Sequence, residues 1–448
     1  MQGLVTYEER LKAVRHALRR RRLIWFGIRG EDAEPLRAVP EFQASFAITA
    51  ALRSAAIPAR QNVALELDLG VRVDLDRYDL DFDPSSAATG FRTGLRRVAE
   101  EPCVLLTYRP NGFVSSLAFA LSETVTLAGM LKDRQAGFEF KPWVETAMRA
   151  AGVDTVDWTY VPDSERDRAR RLLLRTGPLV LRVSRASGGV GMVVARTNDD
   201  IDQHWPEQSD TFVGVAPYLD EAIPVNFAGC VFPSGILRLH PASLQLIGID
   251  GCTPLPFGYC GNDFGAVRVL DRSVLNGLDE MGRRVGAWLA SERYVGAFGV
   301  DAMIHRGRVL FTEVNARFQG SSALSALIVR DLGLPDLYLD HLAAFLDVSP
   351  GDVGPSLWEY SQLQSAHAHI VVHNSTADTL SLDLDAEIRP WPRSTVPVQL
   401  PEAVPVAPGA VLGRLLCSQS VTDDGYRLNS EADLAIARIR GMFKVRND

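Results

Sequence analysis

Cysteine is scarce: Cys103, Cys230, Cys252, Cys260 and Cys417 are the five in 448 residues, odd in number and without a CxxC pair. Such spacing offers no disulfide framework, and reduced thiols of a cytosolic protein are its simplest reading. Excess basic charge is missing too. Lysine and arginine number 47 against 55 acidic residues, a net charge of −8. Bulk charge therefore points to no nucleic-acid partner, although a local basic groove for phosphates stays open. No run approaches the roughly 18 apolar residues of a membrane helix. The start, MQGLVTYEERLKAVRHALRRRR, lacks the apolar core of a signal peptide. No membrane partner and a soluble, cytoplasmic protein are expected. What is present is ordinary globular material, 46% apolar and 23% charged, long enough for two to four domains.

Residues 6–21 read as an amphipathic basic helix that packs as a first helix. Leu23 to Asp32, LIWFGIRGED, is an apolar strand entering a glycine turn, an α/β signal. It lacks GxGxxG, so no dinucleotide site follows. A second strand covers 104–108, and the Asp-rich stretch from Asp68 to Asp83 between them reads as a polar edge strand. Lys141 stands just before a helix opened by Pro142, and RDRARRLLL from Arg166 is a basic helix with Ser164 placed to cap it. Then strand 179–183 ends near Arg182 and runs through Ser187-Gly188-Gly189-Val190-Gly191 into a strand at 192–195. Glycines there let backbone N–H groups turn towards a phosphate. A ligand-free flexible hairpin is the competing reading, and with no GK[ST] it is not a Walker loop. Strands continue through 211–230 and 237–249, and Pro254 to Gly265 reads as a loop. Val274, Leu278, Met281, Val285 and Leu289 mark an amphipathic helix. Beyond a boundary at 347–355 the tail is proline-rich and strand-like. In it His367, His369 and His373 share one strand face, a zinc-type spacing whose ordinary reading is hydrogen bonding.

The chemistry concentrates from Tyr294 to Leu324, YVGAFGVDAMIHRGRVLFTEVNARFQGSSAL. Two strands fold back around His305-Arg306-Gly307-Arg308, which puts Asp301 nearly opposite Glu313, with Cβ atoms roughly 5 Å apart. Alternation then turns Glu313, Asn315 and Arg317 to one face. Such carboxylates are usually solvated, but here apolar neighbours at both parities indicate a covered strand, where acids need a counter-charge. Two carboxylates and an amide oxygen suit Mg²⁺, and the arginine suits a phosphate or carboxylate.

In this order Lys141, Arg182 before the glycine loop, the hinge VAPYL, and Asp301, Glu313 and Asn315 resemble the ATP-grasp superfamily over about residues 130–330. The resemblance implies an α/β (α+β grasp) fold with a Rossmann-like pre-ATP-grasp domain (1–130), two lobes (131–212 and 213–350) and a small C-terminal β-rich domain (351–448). It implies ATP held by Lys141, Arg182, Ser187, Gly188, Gly189 and Gly191. The hinge Val215, Ala216, Tyr218 and Leu219 would hold adenine. It also implies two Mg²⁺, or Mn²⁺ in their place, on Asp301, Glu313 and Asn315, with Arg317 on the reacting phosphate. Arg182 stands where relatives carry lysine, and Ala216 where many carry an acid, which leaves Asp220 or Glu221 for the ribose.

More narrowly, LIWFGIRGED, FEFKPWVE and AHAHIVVHN resemble the antibiotic-pathway ligases typified by the pheganomycin peptide ligase and the butirosin amino-acid ligase. That group implies an amide-forming ligase acting through an acyl phosphate, with catalytic Glu313, Asn315 and Arg317. Arg238, Ser321 and Ser322 would face the substrate, with His240 and Gln245 weaker candidates. Its partners would be an amino-acid-like carboxylate and a peptide or carrier-protein amine, on a chain able to form a homodimer. Loading of a carrier protein, and ATP binding without chemistry, remain the alternatives.

Overall fold

The computed structural model describes residues 4–53, 59–185, 188–206, 212–383, 398–401 and 404–446. The first sheet is parallel and holds β1 (Arg22–Arg29), β2 (Phe42–Thr49), β3 (Gln61–Ala64), β4 (Cys103–Thr107) and β5 (Val125–Ala128), in the order β3-β2-β1-β4-β5. The unbroken apolar run of β1 explains its place at the centre. Leu23 and Trp25 pack with Leu18 and Tyr338 on one face, while Ile24 and Phe26 pack with Phe91 and Leu95 on the other. A strand covered on both faces needs apolar residues at both parities. Strand order reverses between β1 and β4, so their carboxyl ends flank the crevice where open α/β sheets take ligands.

The second sheet is antiparallel, with β6 (Thr159–Pro162), β7 (Leu179–Val183), β8 (Met192–Ala195) and β9 (Phe212–Pro217) in the order β6-β9-β7-β8. Leu179, Leu181, Val213 and Val215 bury one face under the flanking helices Arg166–Thr176 and Asn198–His204. The opposite parity, Val180, Arg182 and Ala216, faces a cavity.

The third sheet has nine strands: β10 (Ile223–Val231), β11 (Leu237–Leu239), β12 (Ser243–Ile247), β13 (Tyr259–Asp263), β14 (Gly296–His305), β15 (Arg308–Asn315), β16 (Ala368–His373), β18 (Val398–Gln399) and β19 (Val411–Cys417). A separate pair joins β17 (Leu380–Leu382) to β20 (Phe443–Val445). The helix Arg272–Ser291 buries Val274, Leu278, Met281, Val285 and Leu289, the positions its period marked, against Phe227, Phe298 and Val300. The tail strands β16, β18 and β19 lengthen this sheet, although the tail also builds its own apolar cluster around Ile370, Leu412 and Ile436. Among the described residues no helix is long and apolar enough to cross a membrane.

Several local expectations differ from the fold. Residues 65–69 form a short helix followed by turns, so the Asp-rich stretch is no edge strand; Asp74 and Asp79 bend the chain by accepting from backbone N–H groups two residues on. The 254–265 segment contains β13, because Cys260 and its neighbours are buried between β12 and β16. Glu165 rather than Ser164 precedes the helix Arg166–Thr176, without a side-chain cap. The tail carries a helix, Ser430–Gly441, where strands were expected.

The hairpin itself follows its sequence. His305 pairs with Arg308 across Arg306 and Gly307, both at positive φ (51° and 76°), the turn whose twist matches the strands. Gly307 has open space around its missing Cβ. Gly307→Ala should therefore cost only the left-handed penalty, about 1 kcal/mol, read as a small fall in Tm with no loss of ligand binding.

Candidate active site

The three sheets enclose a cavity of about 320 Å³. Its acidic corner is built by the hairpin. Asp301 on β14 pairs with Glu313 on β15, and the register slips between Asp301 and Ala302, where Phe311 becomes the next partner. That bulge sends Phe311 and Val314 into the core and leaves Thr312, Glu313 and Asn315 facing the cavity. Asp301 accepts from Gln245 Nε2 (3.0 Å), Gln319 Nε2 (3.0 Å) and Asn315 Nδ2 (3.1 Å). Burial first, and then the neighbouring Glu313 carboxylate, push its carboxyl up to about 7. Lys141, at the start of the helix Lys141–Ala150, places Nζ 3.2 Å from Glu313 Oε1.

Arg182 is buried, and its guanidinium lies 3.6 Å over the Trp158 ring. It donates to Tyr160 Oη at 2.8 Å and pairs with Glu145, one helical turn beyond Lys141. Burial raises the Glu145 carboxyl despite that pairing. Beside this cation the cavity turns apolar, with Val156, Trp158, Val180, Tyr218 and Leu219. The other end is rich in arginine. Arg317 reaches Glu139 (3.3 Å), which Arg109 approaches at 3.6 Å, and Arg29 donates to Tyr108 Oη at 3.1 Å. Arg29 closes β1 and Arg109 follows β4, so both stand at the strand-order reversal.

No protein-family model matches the chain, and no curated protein matches it by sequence. Solved structures do match it in fold. A biotin carboxylase of Campylobacter jejuni in complex with β,γ-ATP is 13% identical over 90% of this chain and 89% of that one, with a TM-score of 0.61. The biotin carboxylase domain of the Hydrogenobacter thermophilus 2-oxoglutarate carboxylase, bound to MgADP, ADP and bicarbonate, is 12% identical over 95% and 90%, at 0.60. An N5-carboxyaminoimidazole ribonucleotide synthetase in its ADP complex is 12% identical over 99% and 98%, at 0.58. The fold is that of the ATP-grasp ligases.

On this ATP-grasp frame the cavity gathers Lys141, Arg182, Gly188, Gly189, Ala216, Tyr218, Leu219, Asp301, Glu313, Asn315 and Arg317, together with Gln245. Other expected residues lie elsewhere. Arg238 is buried against Asp340 (3.1 Å) and Asp352 (2.6 Å), and His240 is buried against the same Asp340, so both serve an internal charge cluster. Ser321 Oγ accepts from Asn226 and Ser322 Oγ from the Gln319 backbone, away from the cavity wall. Val215 points to the opposite face of β9 from Ala216. Asp220 and Glu221 occupy an exposed turn and do not line the cavity. Gly191, at φ +71°, abuts Val183 behind the wall. Ser187 lies outside the described residues.

The three histidines do not converge. His367 precedes β16 and bonds Ser365; His369 is buried with Tyr259 and Arg414; His373 lies beyond a register slip and bonds Gly409. Among the described residues no group of three His, Cys, Asp or Glu could hold a metal ion. Sequence reasoning missed Arg29, Tyr108, Arg109 and Gln319. For Gln319 a signal existed: Glu313, Asn315, Arg317 and Gln319 recur at every second position, past the end of β15.

Proposed function

We propose that the protein is an ATP-dependent ligase that joins an amino-acid-like carboxylate to the amine of a peptide through an acyl phosphate, releasing ADP and phosphate. The observation that carries this is the convergence of Lys141, Arg182, Asp301, Glu313, Asn315 and Arg317 on one cavity that is apolar at one end and cationic at the other. The nucleotides in the solved relatives, β,γ-ATP and MgADP, support it. The apolar end between Trp158 and Leu219 would take adenine, and Lys141 and Arg182 the phosphates. Asp301, Glu313 and Asn315 offer the all-oxygen donor set that Mg²⁺ favours, with Asp301 buried beside the Glu313 carboxylate. Bound there, Mg²⁺ supplies positive charge against the phosphates. Arg317 would orient the substrate carboxylate towards the γ-phosphate and stabilise charge on the acyl phosphate and its tetrahedral adduct. Assembly of a peptide-like natural product is the setting in which such a reaction fits the sequence resemblance.

The test is ADP release with Mg-ATP across a library of carboxylic acids and amines. Release should require an acid, yield a hydroxamate when hydroxylamine is added, and disappear in Glu313→Ala. Binding of ATP without turnover for any acid–amine pair would sink the reading in favour of a non-catalytic nucleotide module. The glycine loop supplies a second check. Gly189 has φ +81°, and a Cβ there would run into the Phe257 carbonyl. Gly189→Ala should displace the loop and raise KM for ATP roughly ten- to hundredfold, the equivalent of the 1–3 kcal/mol of backbone strain it introduces.

A further inference from the structure

We propose that the amine acceptor enters through a second, adjoining pocket, and that His373 there removes its proton. This rests on the ligase reading above. The second pocket measures about 200 Å³ and shares Asp74, Asp76, Gly188, Tyr259, His373 and Gly409 with the main cavity, so the two form one passage. Thr253 and Asn374 to Thr376 give its own wall a polar, uncharged side, beside Pro254, Leu255 and Pro408. Its charged side chains are Asp74, Asp76 and Arg77, and Arg77 is 78% exposed beside Asp74. Two carboxylates thus stand at the junction, away from the end of the main cavity that carries Arg29, Arg109 and Arg317. Carboxylates at that junction favour an alkylammonium ion. A positively charged co-substrate is the ligand that fits.

His373 supplies the chemistry that such a co-substrate needs. Its Nδ1 lies 3.0 Å from the Gly409 carbonyl oxygen, which can only accept, so Nδ1 carries the proton in the neutral ring. Nε2 is then the basic nitrogen. His367 and His369 do not line this wall. The reaction balances as follows. An acceptor R–NH₃⁺ gives one proton to His373 Nε2, and its freed lone pair attacks the acyl carbon. The C–N bond forms and the C–O bond to phosphate breaks. The second amine proton leaves with the phosphate as HPO₄²⁻, and His373 returns its proton to solvent.

The experiment uses the full chain with Mg-ATP and each proteinogenic amino acid as the acid. Glycylglycine, ethylamine and hydroxylamine serve as acceptors, and amide and hydroxamate are quantified by mass spectrometry. Hydroxylamine is largely unprotonated at neutral pH and can attack without a base. His373→Gln is expected to lower amide formation at least about tenfold while leaving hydroxamate formation unchanged. Asp76→Asn should raise KM for glycylglycine several-fold with hydroxamate again unchanged, and it remains informative if His373→Gln does not fold. Equal loss of both products, or loss of neither, overturns the proposal. So does hydroxamate formation by the wild type with no amide from either amine. Absence of both ADP and hydroxamate with every acid instead overturns the ligase reading, and this proposal with it.

Discussion

Asp301→Asn should make the magnesium-free protein more stable at pH 8 while abolishing its activity. The Asp301 carboxyl rises on folding from the ordinary value of 3.8 to about 7, because it is buried beside Glu313. A raised carboxyl contributes stability that is complete below its unfolded pKa and is lost as pH rises through its folded value. Near pH 8 the wild-type site therefore holds Asp301 as a buried anion that the fold disfavours, at a cost on the order of 2–4 kcal/mol. Asparagine removes that cost and keeps the shape: its Oδ1 still accepts from Gln245 and Gln319, and the Asn315 amide can rotate to accept from its N–H₂. The variant's Tm should exceed the wild type's at pH 8 and match it near pH 4. Added Mg²⁺ should raise the wild-type Tm progressively more as pH passes through 7, and leave the variant unmoved. Acid-dependent ADP release should fall roughly a thousandfold. A variant less stable than wild type at pH 8, or one still stabilised by Mg²⁺, would contradict the assignment.

Arg182→Ala carries the second large effect. Removing the guanidinium leaves Glu145 buried with the Tyr160 hydroxyl as its hydrogen-bond donor among the described residues. Loss of one partner of a buried pair costs about 3–5 kcal/mol. Since burial already raises Glu145, the deficit should narrow as pH falls and that carboxyl takes a proton. The double variant Arg182→Met/Glu145→Leu should recover much of the stability without recovering ATP binding. Arg182→Lys keeps the charge but loses the flat contact on Trp158, and should bind ATP with intermediate affinity. Thermal melts and calorimetric ATP titrations separate the two roles. Restored ATP binding in the double variant would remove Arg182 from the phosphate site.

Much of the acidic corner was legible because strand alternation and a two-residue turn are local. Placing Asp301 opposite Glu313 needs only the count of residues around Arg306-Gly307 and one bulge. The fate of Arg238 was not legible, since its partners Asp340 and Asp352 lie about a hundred residues on. Nothing near Arg238 distinguishes a buried structural guanidinium from one facing substrate. The place of Asp220 and Glu221 was hidden for a related reason: they follow the hinge closely in sequence, yet the exposed turn that reverses the chain between β9 and β10 carries them outside the cavity wall.

The sequence by itself determined the hairpin, the strand–glycine–strand segment around Gly188 and Gly189, and the amphipathic helix Arg272–Ser291. Each rests on periodicity or backbone preference within about twenty residues. Only the tertiary structure decided that Arg29 and Arg109, from two strands of the parallel sheet, close the same cavity as Arg317. It alone turned Asp74, Asp76 and His373 to one passage and neutralised Arg182 with Glu145. Those placements depend on how three sheets stack around a void, and no single strand's pattern specifies where another sheet will stand.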